Sequence, residues 1–207
     1  MRMSSLAFCL LLAAPAAAQP VTRAVEQHYN RLRSLQVDFE EKVTTSGRTR
    51  RHERGTLYLV RPGRMRWQYT DPAGKLFVAD GKLFHLYSPH SNQVQRLKPR
   101  DAADFRAPLA FLLGRLDFSQ EFGPITIRST SDGLELSARP RSDRDPFTEV
   151  LFHVAPATFE IRRILITGHD GITTEFLFRG EIANPPLAAR LFHFQPPAGA
   201  EILEGAP

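Results

Sequence analysis

Cysteine is almost missing from this chain: of 207 residues only Cys9 is a cysteine, and it lies within an apolar N-terminal run behind Phe8. That excludes a disulfide framework, and a cysteine in mid-run offers no lipid-acceptor site. Beyond this N-terminal run no segment is long and apolar enough to span a bilayer. The G-x-S-x-G, H-E-x-x-H and phosphate-cradling glycine-loop patterns are absent as well, which removes the common signatures of serine hydrolases, zinc peptidases and nucleotide-binding proteins. The seven histidines (His28, His52, His85, His90, His153, His169 and His193) include no i, i+4 pair and have no cysteine companions. No metal site is expected from them, with His153 and His193 the one pair that could meet across strands. Asp80, Asp132 and Asp170 are explained by turns, and Asp143 and Asp145 by a charged loop with Arg141 and Arg144. No paired carboxylates stand out for acid–base work. The chain reads as a non-enzyme without cofactor.

What the N-terminus does contain is Arg2, an apolar run from Leu6 to Ala14, and Ala16-Ala17-Ala18 before Gln19. This is the pattern of a secretory signal peptide, residues 1–18, with cleavage expected after Ala18 and no twin arginine. A cysteine-free exported domain, Gln19–Pro207, is expected in the periplasm. It is of a size that one core can support.

The formal charge is +5, and arginine far outnumbers lysine. Nucleic acid is not the expected partner, because export removes the chain from it. The cluster Arg48, Arg50, Arg51 and Arg54 reads first as a solvated face in a hairpin-like stretch, and second as a weak attraction to anionic lipid.

Helical periodicity occurs near the start, where Val21, Val25, Tyr29 and Leu32 share one face behind Thr22, a candidate N-cap. From Leu35 the pattern turns to period two. Runs rich in Val, Ile, Phe and Tyr alternate with turn signals, among them Asp80-Gly81, Asp132-Gly133 and Asp170-Gly171, each expected to mark a hairpin. The expected strands are Gln36–Thr44, Gly55–Val60, Arg64–Tyr69, Lys75–Ala79, Leu83–Ser88, Gln93–Leu97, Ile125–Ser129, Leu134–Ala138, Thr148–Val154, Ile161–Thr167, Thr173–Ile182 and Leu191–Phe194. Between them Pro108 to Leu113, closed by Gly114, predicts a short helix with scarcely any polar face, a plug or lid. Many antiparallel strands with two helices and no linker predict one curved sheet with helices on its concave face.

The most informative stretch is Gly55–Tyr69, two alternating segments around Pro62-Gly63. If Arg61 points to the side of Leu57 and Leu59, then Met65, Trp67 and Tyr69 join that side and Arg64 and Arg66 meet water. Composition alone reads the large apolar residues as ordinary core and Arg61 as the end of a strand.

Several ordered motifs resemble those of the periplasmic outer-membrane lipoprotein carriers, the LolA-like family. Leu35-Gln-Val-Asp-Phe-Glu-Glu-Lys-Val43 is similar to the family's first strand, and Gly55 to Trp67 to its strand, Arg-Pro turn and aromatic strand. Val78-Ala-Asp-Gly-Lys82 followed by Tyr87 resembles a family hairpin, Pro108–Leu113 its lid, and Phe192-His-Phe-Gln-Pro-Pro-Ala-Gly199 its closing motif. The resemblance implies a mainly β fold, an incomplete antiparallel β-barrel whose concave apolar face receives lipoprotein acyl chains under a helical cover, with no cofactor and no covalent chemistry. It implies that Arg61 bonds to lid carbonyls in the closed state and releases them when ligand enters. The candidate cavity residues are Leu57, Leu59, Met65, Trp67, Tyr69, Phe84, Phe111, Leu112 and Phe178. The implied partners are acylated lipoproteins, an inner-membrane lipoprotein-releasing transporter and an outer-membrane acceptor, for a monomeric carrier. Two alternatives share the fold: a periplasmic module that senses lipid or lipoprotein, and an enzyme that cleaves a lipid held in the cavity.

Overall fold

A computed structural model describes residues 18–98 and 115–205. Helix α1 (Ala18–Asn30) leads into β1 (Ser34–Thr45), β2 (Arg48–Val60), β3 (Arg64–Asp71), β4 (Leu76–Asp80), β5 (Phe84–Ser88) and β6 (Gln93–Leu97). The second half runs through α2 (Phe118–Glu121), β7 (Ile125–Ser129), β8 (Leu134–Ala138), β9 (Glu149–Val154), β10 (Ile161–Thr167), β11 (Thr173–Ala183), a 3-10 turn at Ala189–Phe192, and β12 (Glu201–Glu204). All twelve described strands form one open sheet in the order β12-β6-β5-β4-β3-β2-β1-β11-β10-β9-β8-β7. It is curved and does not close into a barrel. Among the described residues no helix is long and apolar enough to cross a membrane.

Local chemistry accounts for the meander. Leu35, Val37 and Phe39 are buried on one face of β1, and Asp38 between them is exposed. The same alternation repeats at Leu57 and Leu59 and at Met65 and Trp67, so one face of these central strands is apolar. Ser46 and Gly47, with φ of 50° and 72°, form the two-residue turn between Thr45 and Arg48; a positive φ at both positions matches the strand twist. The three Asp-Gly pairs lie in the β4–β5, β7–β8 and β10–β11 turns, as expected. Gly55 sits where the β2–β3 register shifts, and a Cβ there would lie 2.1 Å from the Gln68 carbonyl oxygen. Only glycine fits this close approach.

Several expectations need correction. Thr22 lies inside α1, well past Ala18, so it does not cap the first turn. The expected strand Leu191–Phe194 is a 3-10 turn followed by irregular chain. Pro185-Pro186 and Pro196-Pro197 flank it, and its Leu191 and His193 amides donate locally to the Ala188 and Arg190 carbonyls and not to a neighbouring strand. The F-x-F spacing instead lays Phe192 and Phe194 on the outer face of the sheet. Phe192 is only 2% exposed, and the Phe194 ring centroid lies 5.1 Å from that of His85. Arg64 and Arg66 therefore do not simply meet water. The Arg64 guanidinium lies 5.8 Å over the Phe192 ring, and Arg66 Nη1 donates to the Leu191 carbonyl at 3.1 Å. Burial under this strap lowers the Arg66 pKa from its ordinary value.

Two elements had no counterpart among the expectations. β12 pairs parallel to β6, the only parallel pairing among those described, and its four residues Glu-Ile-Leu-Glu show no alternation. α2 is a single turn capped by Asp117, whose Oδ1 accepts from Ser119 N at 3.0 Å and Gln120 N at 3.1 Å. It buries Phe118 and Phe122 against Phe152.

Candidate functional site

The inner face of the sheet is an apolar trough built from register neighbours. Leu35 pairs with Leu59, Val37 with Leu57, Leu57 with Trp67, and Leu59 with Met65. On the other side of β1, Phe39 pairs with Phe178. Four aromatic rings surround Trp67 or its neighbour: Phe39 at 4.6 Å and Phe176 at 5.6 Å from Trp67, both edge-on, Phe178 at 6.5 Å, and Tyr69 at 5.1 Å from Phe39. Edge-on contacts set ring hydrogens against π faces and fix the box beyond simple burial. From Leu35 to Glu41 along β1 the trough measures about 20 Å at the ordinary strand rise.

Leu57, Leu59, Met65, Trp67 and Phe84 are all at most 5% exposed and belong to the core that lines this face. Tyr69 and Phe178 are partly buried and pack against the same core. Phe111, Leu112 and the expected helix Pro108–Leu113 lie outside the described residues. Leu35, Val37, Phe39, Phe77 and Phe176 line the trough without having been singled out. The period-two pattern of β1 and β11 carried that signal, because Phe39 follows Leu35 and Val37, and Phe176 precedes Phe178 by two.

Helix α1 and the turn that follows it cover part of the trough with Val25 and Tyr29 from the helix and Leu32 from the turn, all buried in the common core. The cover fits tightly: the void beneath it, lined by Tyr29, Leu35, Val37, Leu57, Ile161 and Phe178, has a volume of only about 10 Å³. Polar contacts fasten the helix at its edges. Tyr29 OH donates to Glu181 Oε2 at 3.0 Å and accepts from the Ile161 amide at 2.8 Å. His28 Nε2 lies 2.6 Å from Glu181 Oε1. Asn30 clasps the Leu116 backbone on both sides, Nδ2 to the carbonyl and Oδ1 from the amide, each at 2.8 Å. Glu26 Oε1 accepts from Phe118 N at 2.8 Å. Burial first, and the Glu181 charge second, push the Tyr29 hydroxyl pKa well above its ordinary value. The phenol stays neutral and keeps its donor.

The two ends of the trough differ. At the β1–β2 hairpin end Glu41 and Glu53 are direct register partners, 7% and 6% exposed. They lie twelve positions apart in sequence, and only the hairpin register brings them together. They are held as ion pairs. Arg51 Nη2 lies 2.9 Å from Glu41, and Arg51 Nε 3.5 Å and Lys75 Nζ 2.5 Å from Glu53. Tyr69 OH donates to Glu41 at 3.3 Å, and Lys75 stands 4.3 Å over the Tyr69 ring. Burial and then the Glu41 and Glu53 charges raise the Tyr69 pKa. Burial alone would lower the Arg51 pKa, but Glu41 and Glu53 outweigh it and the net shift is upward. Within the cluster Arg48–Arg54, Arg48 and Arg50 are exposed as expected, and Arg51 folds onto these carboxylates.

Arg61 stands at the opposite end, where its amide donates to the Arg33 carbonyl at 2.9 Å. It is half-buried, and burial lowers its pKa from the ordinary value. It borders a cleft of about 650 Å³ between α1 and the β2–β3 turn. His153 and His193 do not meet. His153 contacts Asp132 at 3.3 Å on β9, whereas His193 belongs to the strap near β3, five strands away in the sheet. Among the described residues no group of three or more His, Cys, Asp or Glu is placed to hold a metal ion.

A family model described as outer membrane lipoprotein carrier protein LolA matches residues 30–195, a span that contains the trough, Arg61 and the outer strap. An outer-membrane lipoprotein carrier protein of Chromobacterium violaceum is 29% identical over 194 residues, covering 94% of this chain and 92% of that one. The protein of the same name from Bordetella avium is 30% identical over 207 residues, covering 98% and 96%. Among solved structures, an uncharacterized conserved protein from Thermus thermophilus superposes with a TM-score of 0.57 at 12% identity, covering 91% of this chain and 99% of that chain. This last likeness is one of fold.

Proposed function

Because the chain belongs to the outer membrane lipoprotein carrier protein LolA family, we propose that its trough receives the acyl chains of lipoproteins and that the protein ferries them through the periplasm from the inner to the outer membrane. The observation that carries this reading is the continuous apolar inner face, aromatic at its centre and shut beneath α1 with a void of only about 10 Å³. Ordinary cores are also dry. This one is covered by a helix whose edges are fastened through polar contacts, and such contacts can be exchanged for water when the cover lifts.

The energetics suit a carrier. Each methylene removed from water contributes roughly 0.8 kcal/mol, so an acyl chain offers on the order of 10 kcal/mol against the cost of opening the cover. Ligand binding then shifts a closed-to-open equilibrium, and the closed population tunes affinity downward so that cargo can be passed on. In this reading Leu57, Leu59, Met65, Trp67, Tyr69, Phe84 and Phe178 contact the chains, joined by Phe39 and Phe176. Phe111 and Leu112 belong to the lid, and Arg61 is its latch: a half-buried guanidinium presents a fork of donors suited to carbonyls at a helix end. Loading at an inner-membrane lipoprotein-releasing transporter and delivery to an outer-membrane acceptor complete the cycle, with the signal peptide removed on export. No covalent step is required.

The test is to incubate the purified protein with proteoliposomes that hold the releasing transporter and an acylated lipoprotein, with ATP, and to look for a soluble one-to-one complex by size-exclusion chromatography. Release of the acylated form, and none of its unacylated variant, is the expected result. Failure to release any acylated lipoprotein under those conditions would overturn the reading. Arg61→Leu is expected to load but to deliver poorly, and unchanged delivery would return Arg61 to a strand-end role.

A further inference from the structure

The cleft beside Arg61 is cationic in a way that acyl-chain binding does not use. Four arginines line it, Arg23, Arg31, Arg61 and Arg115, against one carboxylate, Glu26, which already accepts the Phe118 amide. Among the described residues no carboxylate lies within salt-bridge distance of Arg23, Arg31 or Arg115. Arg115 contributes least among the groups that act on Asp117, whose lowered pKa is owed first to its hydrogen bond with Ser119. The helix explains the placement. Val25 and Tyr29 turn one face of α1 into the trough, while Arg23 on another face of the helix and Arg31, in the turn just past its end, border the cleft.

The cleft is also the rim of the trough. Arg31 precedes buried Leu32, Arg61 follows the β2 strand that carries buried Leu59, and Arg115 precedes Leu116, which is 1% exposed. A volume of about 650 Å³ is ample for a glycerophosphate-sized group. At the far end the charges are balanced, with Glu41 and Glu53 held by Arg51 and Lys75. The arginines beyond that pairing, Arg48 and Arg50, are exposed on the hairpin and do not line a cleft, whereas those at the Arg61 end face one. Planar guanidinium groups match phosphate and carboxylate oxygens by paired hydrogen bonds.

We propose that this cleft is a headgroup site for anionic amphiphiles, in which Arg23, Arg31 and Arg115 hold a phosphate or carboxylate while the attached acyl chain enters the trough. The inference rests on the acyl-trough reading and extends it to a second ligand class, anionic lipids. The headgroup adds charge recognition to an otherwise non-directional apolar affinity, and it orients the chain with its head at the Arg61 end.

The test compares lysophosphatidylglycerol with monoacylglycerol bearing the same palmitoyl chain, each below its critical micelle concentration, by titration calorimetry on the full protein. The anionic lipid should bind about tenfold tighter or better at low salt, and the advantage should shrink as ionic strength rises from about 0.05 to about 0.5 M. In Arg23→Gln/Arg31→Gln/Arg115→Gln, whose altered side chains are all exposed, the two lipids should bind alike and the monoacylglycerol affinity should stay at its wild-type value. That value also reports that the variant is folded, and the matching Lys variant should recover much of the preference. Inorganic phosphate should compete only weakly; if it matched the lysolipid, a free anion and not a lipid would be the ligand, and the proposal would fail. Equal affinity for the two lipids, or a preference that survives the triple variant, would overturn the headgroup site and leave the trough reading intact. Binding of neither lipid would overturn the acyl-trough reading, and this one with it.

Discussion

If α1 is a cover fastened at its edge, Tyr29→Phe should loosen it without hollowing the core. The ring stays, so the apolar contacts of a 3%-exposed side chain are kept. What is lost is a hydroxyl that donates to Glu181 Oε2 at 3.0 Å and accepts from the buried Ile161 amide at 2.8 Å. A buried amide left without an acceptor costs about 1–3 kcal/mol, and the loss of a hydrogen bond to a side-chain carboxylate that is 9% exposed adds to it. Since His28 still holds Glu181, about 2–3 kcal/mol in total is a fair expectation. Lifting α1 exposes those groups to water and removes the penalty. The loss therefore falls on the closed state relative to the open one, and the opening equilibrium should rise about 30- to 150-fold. Native-state hydrogen exchange of the α1 amides reads this directly. Exchange faster by that factor in α1, with the β8–β10 amides sped by no more than the global loss of stability, is the expected pattern. Affinity for an acyl probe should increase in parallel, because less of the binding energy is spent on opening. Unchanged α1 exchange would refute the assignment of α1 as a separately opening cover, and faster exchange with unchanged acyl affinity would refute its place on the ligand's path.

Lys75→Met removes the 2.5 Å partner of a nearly buried Glu53 and should cost about 2–4 kcal/mol by urea denaturation, somewhat below a fully orphaned charge because Arg51 remains. Adding Glu53→Leu should recover most of that loss; a double variant as unstable as the single would show that packing, and not the stranded charge, was responsible. Asp80 accepts the Lys82 and Leu83 amides at 2.7 and 2.8 Å, and although burial opposes ionisation these bonds hold its pKa below the ordinary value of 3.8. With the folded pKa depressed, its stabilisation is present above the unfolded pKa and is lost as pH falls through the folded one. Asp80→Ala should accordingly flatten the decline of stability between about pH 4 and pH 2, measured by denaturant midpoints, and an unaltered slope would exclude the turn as a source of acid sensitivity.

The sheet was legible because its information is local. Eleven of the twelve expected strands occur, since period-two alternation and the Asp-Gly turns need no knowledge of distant chain. The expectation failed at Leu191–Phe194, where alternation of Phe192 and Phe194 was real but served contact with the outer face at Arg64 and His85. The period reports which side chains share a face and is silent on whether the backbone has a neighbouring strand. β12 failed in the opposite way: four residues with no alternation pair to β6 because the chain returns there, and nothing within Glu-Ile-Leu-Glu encodes that return. The trough residues Leu57 to Tyr69 were readable for the same reason as the strands, whereas the clasp of His28 and Tyr29 on Glu181 joins residues about 150 positions apart. Glu41 and Glu53 are the intermediate case, hidden until the Ser46-Gly47 turn fixes the register.

This division has a functional consequence. Apolar periodicity specifies the trough, and many substitutions that keep size and hydrophobicity would preserve it. The groups that decide how the trough opens, and what it admits at each end, are polar and come together only in the fold: Tyr29 with Glu181 and Ile161, Asn30 with Leu116, Glu53 with Lys75, and the arginines around the cleft. Each is worth only a few kcal/mol, which is small against burial of the whole core but comparable to the gap between a closed and an open cover. A relative at about 30% identity can therefore share the sheet and the trough, and still differ in which lipid it holds and how readily it gives that lipid up.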